Sequence, residues 1–161
     1  MIIILIGVSG SGKSTIGSLL AKELQWPFYD GDDLHPRSNI EKMKQGLPLS
    51  DEDRLPWLAE LAELIDTLVA SSRSAVIACS ALKQVYREKL LHRRDVVRLV
   101  YLRGEYGLIH GRIQTRRGHF MREELLESQF EILEEPRQAI VIDIGQDPAA
   151  IVARIRQLLE V

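Results

Sequence analysis

The 161-residue chain has little cysteine, little excess charge of either sign and no long hydrophobic run, and each of these absences excludes a class of protein. Its single cysteine, Cys79, excludes an internal disulfide framework and is typical of a reducing compartment. Lysine and arginine number 21 against 23 acidic residues, so the formal net charge of −2 favours neither nucleic acid nor a membrane surface as a partner. The apolar run at residues 1–6 is too short to span a bilayer and follows no basic region, so we expect no targeting peptide and a cytoplasmic protein.

What the chain does contain is typical of one globular domain. A hydrophobic content of 45% and a charged content of 27% are ordinary for such a protein, and 161 residues are enough for a sizeable core. We see no internal repeat, linker or low-complexity tract. The sequence therefore predicts a single domain over residues 1–161.

The stretch Gly7–Thr15 fits the phosphate-loop pattern, a glycine and four residues followed by Gly-Lys-Ser. An apolar, β-branched run precedes it and a helical apolar face follows it, which is the strand–loop–helix context in which backbone N–H groups converge on phosphate oxygens. Lys13 is then expected to reach the β- and γ-phosphates of ATP, and the Ser14 hydroxyl to ligate Mg²⁺. The expected nucleotide contacts of the loop are Gly7, Ser9, Gly10, Ser11, Gly12, Lys13, Ser14 and Thr15.

Helical and strand patterns alternate along the rest of the chain, which favours an α/β fold with a parallel sheet. The predicted strands are residues 1–6, 26–29, 74–79, 96–102 and 139–144. The predicted helices lie at 16–24, within 35–49, and at 51–69, 83–91, 108–117, 125–133 and 151–159. We therefore expect a three-layer α/β/α sandwich with a five-stranded parallel sheet, whose ligands gather at the carboxyl ends of the strands.

Two aspartates at the end of the second predicted strand are candidates for the chemistry. If the strand continues through them, Asp30 and Asp32 point to the same side. Phosphoryl transfer needs one carboxylate near Mg²⁺ and another to accept the proton of the attacking hydroxyl. A solvated acidic turn is the alternative for this Asp-Gly-Asp-Asp stretch, and its position after the second strand of a phosphate-loop fold favours the catalytic interpretation.

The arginines allow two interpretations each. Arg112, Arg116 and Arg117 precede Gly118 and either close over ATP to neutralise the transferred phosphoryl or form a solvated basic helix face. Arg54 follows Asp53 and either makes a surface ion pair or grips a carboxylate with its planar fork.

Several stretches together resemble the bacterial-type gluconate kinases, which belong with the shikimate and nucleoside monophosphate kinases. They follow the family order over nearly the whole chain, and the part from Asp30 to Trp57 is far more specific than the phosphate loop. The matching stretches are residues 7–15, 30–36, 39–43, 46–54, 56–58, 78–83, 86–87, 117–121, 125–130 and 133–136.

The resemblance implies an NMP-kinase-like P-loop enzyme that phosphorylates D-gluconate at the 6-hydroxyl with ATP and Mg²⁺. It implies a substrate-binding helical segment at about 35–70, a lid at about 112–124 and a homodimer. Asp32 would activate the hydroxyl, Asp30 and Ser14 would support the metal ion, and Arg54 would grip the carboxylate. Further implied sugar-acid contacts are His35, Ser80, Lys83, Arg87 and His119, with Arg112 and Arg116 acting on the phosphates and Pro148 bordering the adenine.

One residue departs from the family pattern and two other functions stay open. The family lid usually runs His-Phe-Met-Pro, and Arg122 stands here in place of the proline. A kinase for another hydroxy acid, such as shikimate, is the nearest alternative, and a nucleotide switch without turnover is the second. The Asp30–Asp32 pair favours turnover, since a switch needs no base for a substrate hydroxyl.

Overall fold

The computed structural model describes residues 1–92, 95–115 and 123–161 and confirms the α/β architecture. Five strands and seven α-helices alternate along these residues. The strands are β1 Ile2–Ile6, β2 Phe28–Asp30, β3 Ala75–Ala78, β4 Val97–Arg103 and β5 Ile140–Asp143. The helices are α1 Lys13–Leu24, α2 Arg37–Lys44, α3 Asp51–Ala70, α4 Gln84–Leu90, α5 Tyr106–Thr115, α6 Glu123–Ile132 and α7 Pro148–Leu159.

All five strands run parallel in the order β2-β3-β1-β4-β5. The first strand lies at the centre, with Ile4 paired to Ile77 on one side and to Leu99 on the other. Its five residues are at most 1% exposed, because helices cover both faces of the sheet. The phosphate-loop stretch therefore begins at the carboxyl end of the most enclosed strand.

Alternate residues of β1 belong to two separate cores. Ile2, Ile4 and Ile6 pack with α3 and α4, whereas Ile3 and Leu5 pack with α1 and α7. This division follows from the period of two in a strand and produces the predicted three layers. No helix in the described ranges is long and apolar enough to cross a bilayer.

The second strand is followed by the acidic turn that the sequence predicted. It ends at Asp30, and residues Gly31–Leu34 form a 3₁₀ turn in which the Asp32 N–H donates to Asp30 Oδ1 at 3.1 Å. Because the strand does not continue through Asp32, the condition under which Asp30 and Asp32 were expected to point to the same side is not met. A further link fixes the turn, since Trp57 Nε1 of α3 donates to the Gly31 carbonyl at 2.6 Å.

Candidate active site

The loop after β1 has the backbone geometry of a phosphate cradle. Gly10 and Gly12 have φ angles of 79° and 96°, which side chains other than glycine rarely adopt. Gly12 caps α1, so the N-terminus of that helix opens toward the loop. Lys13 is buried, and its Nζ donates to the Val8 carbonyl at 3.0 Å across the loop. The loop is therefore a cluster of N–H groups with one cation held at its centre.

A cavity lies on each side of this loop. The first has an empty volume of about 660 Å³ and contains Ser9, Lys13, Asp32, His35 and Arg54, together with Ser80 and three residues of α6. The second has an empty volume of about 570 Å³. It is lined by Gly10, Ser11, Gly12, Thr15, Ile16, Arg112, Gln146, Pro148 and Ile151. After the contacts that the family resemblance implies, we call the first the sugar-acid cavity and the second the nucleotide cavity.

The nucleotide cavity brings together the loop and two predicted nucleotide residues from distant elements. Arg112 of α5 donates from Nη2 to the Ile144 carbonyl at 2.7 Å, and Pro148 is the first residue of α7. Ser11 Oγ is buried and has no hydrogen-bond partner among the described residues. A buried hydroxyl of that kind is costly unless a ligand satisfies it, which fits a phosphate group at this position.

The two acidic residues of the turn face different partners. Asp30 Oδ2 accepts a hydrogen bond of 2.5 Å from the Ser14 hydroxyl on the first turn of α1. Asp32 instead lines the sugar-acid cavity with Lys13. Hydroxyl and carboxylate oxygens are the ligands that Mg²⁺ prefers, so the Ser14–Asp30 pair has the right donors for part of a magnesium site. No group of three or more His, Cys, Asp or Glu side chains that could hold a metal ion occurs in the part of the chain that the structure describes.

His35 is a neutral hydrogen-bond donor at the wall of the sugar-acid cavity. Burial, together with the nearby Arg54 charge, lowers its pKa from 6.5 to about 4. Its ring stacks on Trp57 with centroids 4.3 Å apart. The Asn39 amide nitrogen donates to the Asp53 carbonyl at 2.8 Å and lies 3.2 Å from His35 Nδ1, so Nδ1 must be the acceptor and Nε2 carries the proton.

Arg54 lies in the sugar-acid cavity with one edge of its guanidinium anchored. Its Nη1 donates to the carbonyls of Leu49 and Ser50, and the group lies 5.5 Å from the Tyr86 ring centroid. The neighbouring Asp53 binds Lys42 at 2.8 Å and closes a capping box with Ser50. Arg54 is therefore held by backbone carbonyls rather than by an ion pair with Asp53, and among the described residues its hydrogen bonds come from Nη1.

Two predicted sugar-acid residues, Lys83 and Arg87, are not among the residues that line that cavity. Lys83 forms an ion pair with Asp51 at 2.8 Å. The Arg87 guanidinium is buried and donates from Nη1 to the carbonyls of Ala81 and Leu82 at 3.0 and 2.9 Å. These contacts fix the start of α4 against neighbouring segments. The predicted Arg116 and His119 lie outside the described residues, as does most of the segment predicted as a lid.

The sequence interpretation gave no role to one wall of the sugar-acid cavity. Leu125, Ser128 and Gln129 of α6 line it, and Gln129 Oε1 accepts from the Ser9 N–H at 2.7 Å. Their spacing of three and four residues places them on one helix face, which is the signal that could have grouped them. A contact across 120 residues cannot be read from that spacing alone.

A phosphate loop at the end of the central strand, with the sugar-acid cavity on one side and the nucleotide cavity on the other, defines a P-loop kinase of small molecules. The family model for shikimate kinase matches residues 9–160. The crystal structure of shikimate kinase from Aquifex aeolicus vf5 has a TM-score of 0.66 at 22% identity, covering 99% of this chain and 96% of its own, which supports the fold.

Within that class, the chain belongs to the gluconokinase family. It is 51% identical over 158 residues to the thermosensitive gluconokinase of Escherichia coli (strain K12), covering 96% of this chain and 84% of that protein. It is 44% identical over 134 residues to the gluconokinase of Gluconobacter oxydans (strain 621H), covering 83% and 75%. The crystal structure of a gluconokinase from Sinorhizobium meliloti 1021 matches with a TM-score of 0.85 at 41% identity, over 98% of this chain and 94% of that one.

Proposed function

We propose that this chain transfers the γ-phosphoryl group of ATP to the 6-hydroxyl of D-gluconate, giving 6-phospho-D-gluconate and ADP. The observation that carries the proposal is the sugar-acid cavity, which contains the Arg54 guanidinium, the Asp32 carboxylate and the Lys13 end of the phosphate loop. Gluconate has a carboxylate at one end and the reacting hydroxyl at the other, so its kinase needs a cation and a base in the same cavity.

Each group has a distinct task in this reaction. Asp32 accepts the proton of the 6-hydroxyl as the hydroxyl oxygen attacks the γ-phosphorus, and Lys13 stabilises the charge on the transferred group. Arg54 binds the carboxylate through the edge of the guanidinium opposite its carbonyl anchors. His35 donates from Nε2–H to a substrate oxygen, and Ser80 forms part of the cavity wall.

On the other side of the loop, ATP occupies the nucleotide cavity. The adenine lies beside Pro148, and Arg112 neutralises charge on the phosphates. Arg116 and His119 remain predictions for the phosphates and the sugar acid, since they lie outside the described residues. Lys83 and Arg87 also remain predictions for the sugar acid; Lys83 donates to Asp51, and Arg87 donates to the carbonyl of Ala81.

Magnesium is expected at the Ser14–Asp30 pair, where the hydroxyl and the carboxylate are 2.5 Å apart. When bound with ATP, the ion neutralises charge on the β- and γ-phosphates. Replacing Asp30 with asparagine tests this assignment, because it should raise the Mg²⁺ concentration needed for half-maximal activity.

We further propose a cytoplasmic homodimer, and sedimentation velocity of the purified chain tests its oligomeric state.

The experiment that tests the proposed function is a coupled assay of ADP release over a panel of hydroxy acids. The panel contains D-gluconate, shikimate and the neutral polyol sorbitol, with Lys13→Met as the matched inactive control. We expect turnover with gluconate to exceed turnover with either other compound, and the product to carry phosphate on C6. Preferred turnover of shikimate would favour the alternative kinase, and nucleotide binding without turnover on any acid would favour a switch.

A further inference from the structure

The strongest unassigned feature is a chain of hydrogen bonds that joins α6 to the phosphate loop. Gln129 Oε1 accepts from the Ser9 N–H at 2.7 Å. The same peptide unit supplies the Val8 carbonyl, which accepts from Lys13 Nζ at 3.0 Å and from the Ser11 N–H at 3.2 Å. One rigid peptide plane therefore lies between the carboxamide of Gln129 and the ammonium of Lys13.

We propose that Gln129 is a positioning residue for Lys13, acting through the Val8–Ser9 peptide. This inference rests on the proposed function, in which Lys13 stabilises the transferred phosphoryl group. A trans peptide is planar and its N–H and C=O point in opposite directions. Fixing the Ser9 N–H thus fixes the direction of the Val8 carbonyl, and the carbonyl in turn fixes the ammonium.

The loop needs such an external contact because its own backbone is permissive. Gly10 and Gly12 both have positive φ angles, and glycine gives a chain more conformational freedom than any other residue. A neutral side-chain acceptor suits the position, since a backbone N–H can only donate and a carboxamide oxygen can only accept. Hydrogen bonds in series also polarise one another, so the contact at Ser9 strengthens the contact at Val8.

The contact lies where phosphoryl transfer would take place. Ser9, Lys13 and Gln129 line the sugar-acid cavity with Asp32, whereas the Gly10–Gly12 part of the loop lines the nucleotide cavity. Loss of Gln129 should therefore lower the rate of phosphoryl transfer more than it lowers the affinity for the nucleotide. This separates a positioning role from general support of the fold.

The test compares the full-length wild type with Gln129→Met, which keeps side-chain length and removes the acceptor. Glu127→Ala is the matched control, because Glu127 lies on the same helix and is exposed. We expect Gln129→Met to lower kcat roughly three- to tenfold, the effect of one neutral hydrogen bond, while the Kd for ADP changes by less than about twofold. The control should match the wild type in both measurements.

A second measurement requires neither catalysis nor gluconate. In ¹⁵N-labelled protein, the Ser9 amide proton should move upfield in Gln129→Met and stay in place in Glu127→Ala. An unchanged Ser9 resonance, or an unchanged kcat in a folded Gln129→Met protein, would overturn the proposal. If Gln129→Met does not fold, Gln129→Asn, which is one methylene too short to reach Ser9, takes its place with the same expectations. Absence of gluconate turnover in the wild type would instead contradict the proposed function and leave the Ser9 measurement valid.

Discussion

Replacing Arg54 with lysine tests how the sugar acid is held. The guanidinium donates from Nη1 to the carbonyls of Leu49 and Ser50, which orients its opposite edge for a carboxylate in the sugar-acid cavity. Lysine keeps the positive charge but cannot bind the carbonyls and a carboxylate with one planar group. Losing one charge-assisted hydrogen bond costs about 1.5–3 kcal/mol. We therefore expect Arg54→Lys to lower kcat/KM for gluconate roughly 10- to 150-fold, mainly through KM.

The assay is steady-state kinetics with gluconate and with sorbitol, which lacks the carboxylate. The matched control is Arg37→Lys, since Arg37 is an exposed arginine of α2 that pairs with Glu41. Arg54→Lys should leave kcat/KM for sorbitol and ATP hydrolysis without a sugar acid within about twofold of the wild type, because neither reaction uses the carboxylate contact. An equal loss with gluconate and sorbitol would refute the reasoning and make Arg54 a purely structural residue.

Three further predictions concern charge in and around the two cavities. Lys13→Met should lower kcat roughly 100-fold or more while circular dichroism stays unchanged, and near-normal turnover in the folded variant would contradict its role. Arg112→Ala should lower kcat more than it raises the Kd for ATP, because its charge is needed most in the transition state; an unchanged kcat would support the solvated basic face instead. The pKa of His35 is lowered from 6.5 to about 4 in the folded protein. Between these pH values the unfolded chain binds a proton at His35 and the folded chain does not. The free energy of unfolding should therefore fall by up to about 3 kcal/mol as pH falls from 6.5 to 4. Chemical denaturation at several pH values should show that the free energy of unfolding depends less steeply on pH in His35→Gln than in the wild type. Equal pH dependence in the two proteins would exclude His35 as the titrating group.

The phosphate loop and the five strands could be predicted because their signals are local. A buried β-branched run and a glycine pattern each specify backbone geometry within a few residues, and the strand positions followed to within two residues of those observed. The structure places Arg54, His35 and Ser80 in one cavity, and the resemblance had grouped them. Those groupings depended on the family pattern rather than on periodicity.

The parts that were not predicted depend on contacts between distant residues. The end of β2 at an acidic turn was predicted, but nothing local indicates that this turn is a 3₁₀ turn held by Trp57 from α3. The resemblance implied Arg87 as a sugar-acid contact, and nothing local indicates that its guanidinium donates to the carbonyls of Ala81 and Leu82. Gln129 lay in a family-like stretch without a role, since its partner Ser9 is 120 residues away.

The two substrate sites are attached to strands that differ in how many neighbouring strands they have. The phosphate loop extends from β1, which has a neighbour on each side, whereas Asp32 follows the three-residue strand β2 at the sheet edge, where β3 is its one neighbour among the described strands. Amide hydrogens of β1 should therefore exchange with solvent only through global unfolding, while those of β2 exchange through local opening.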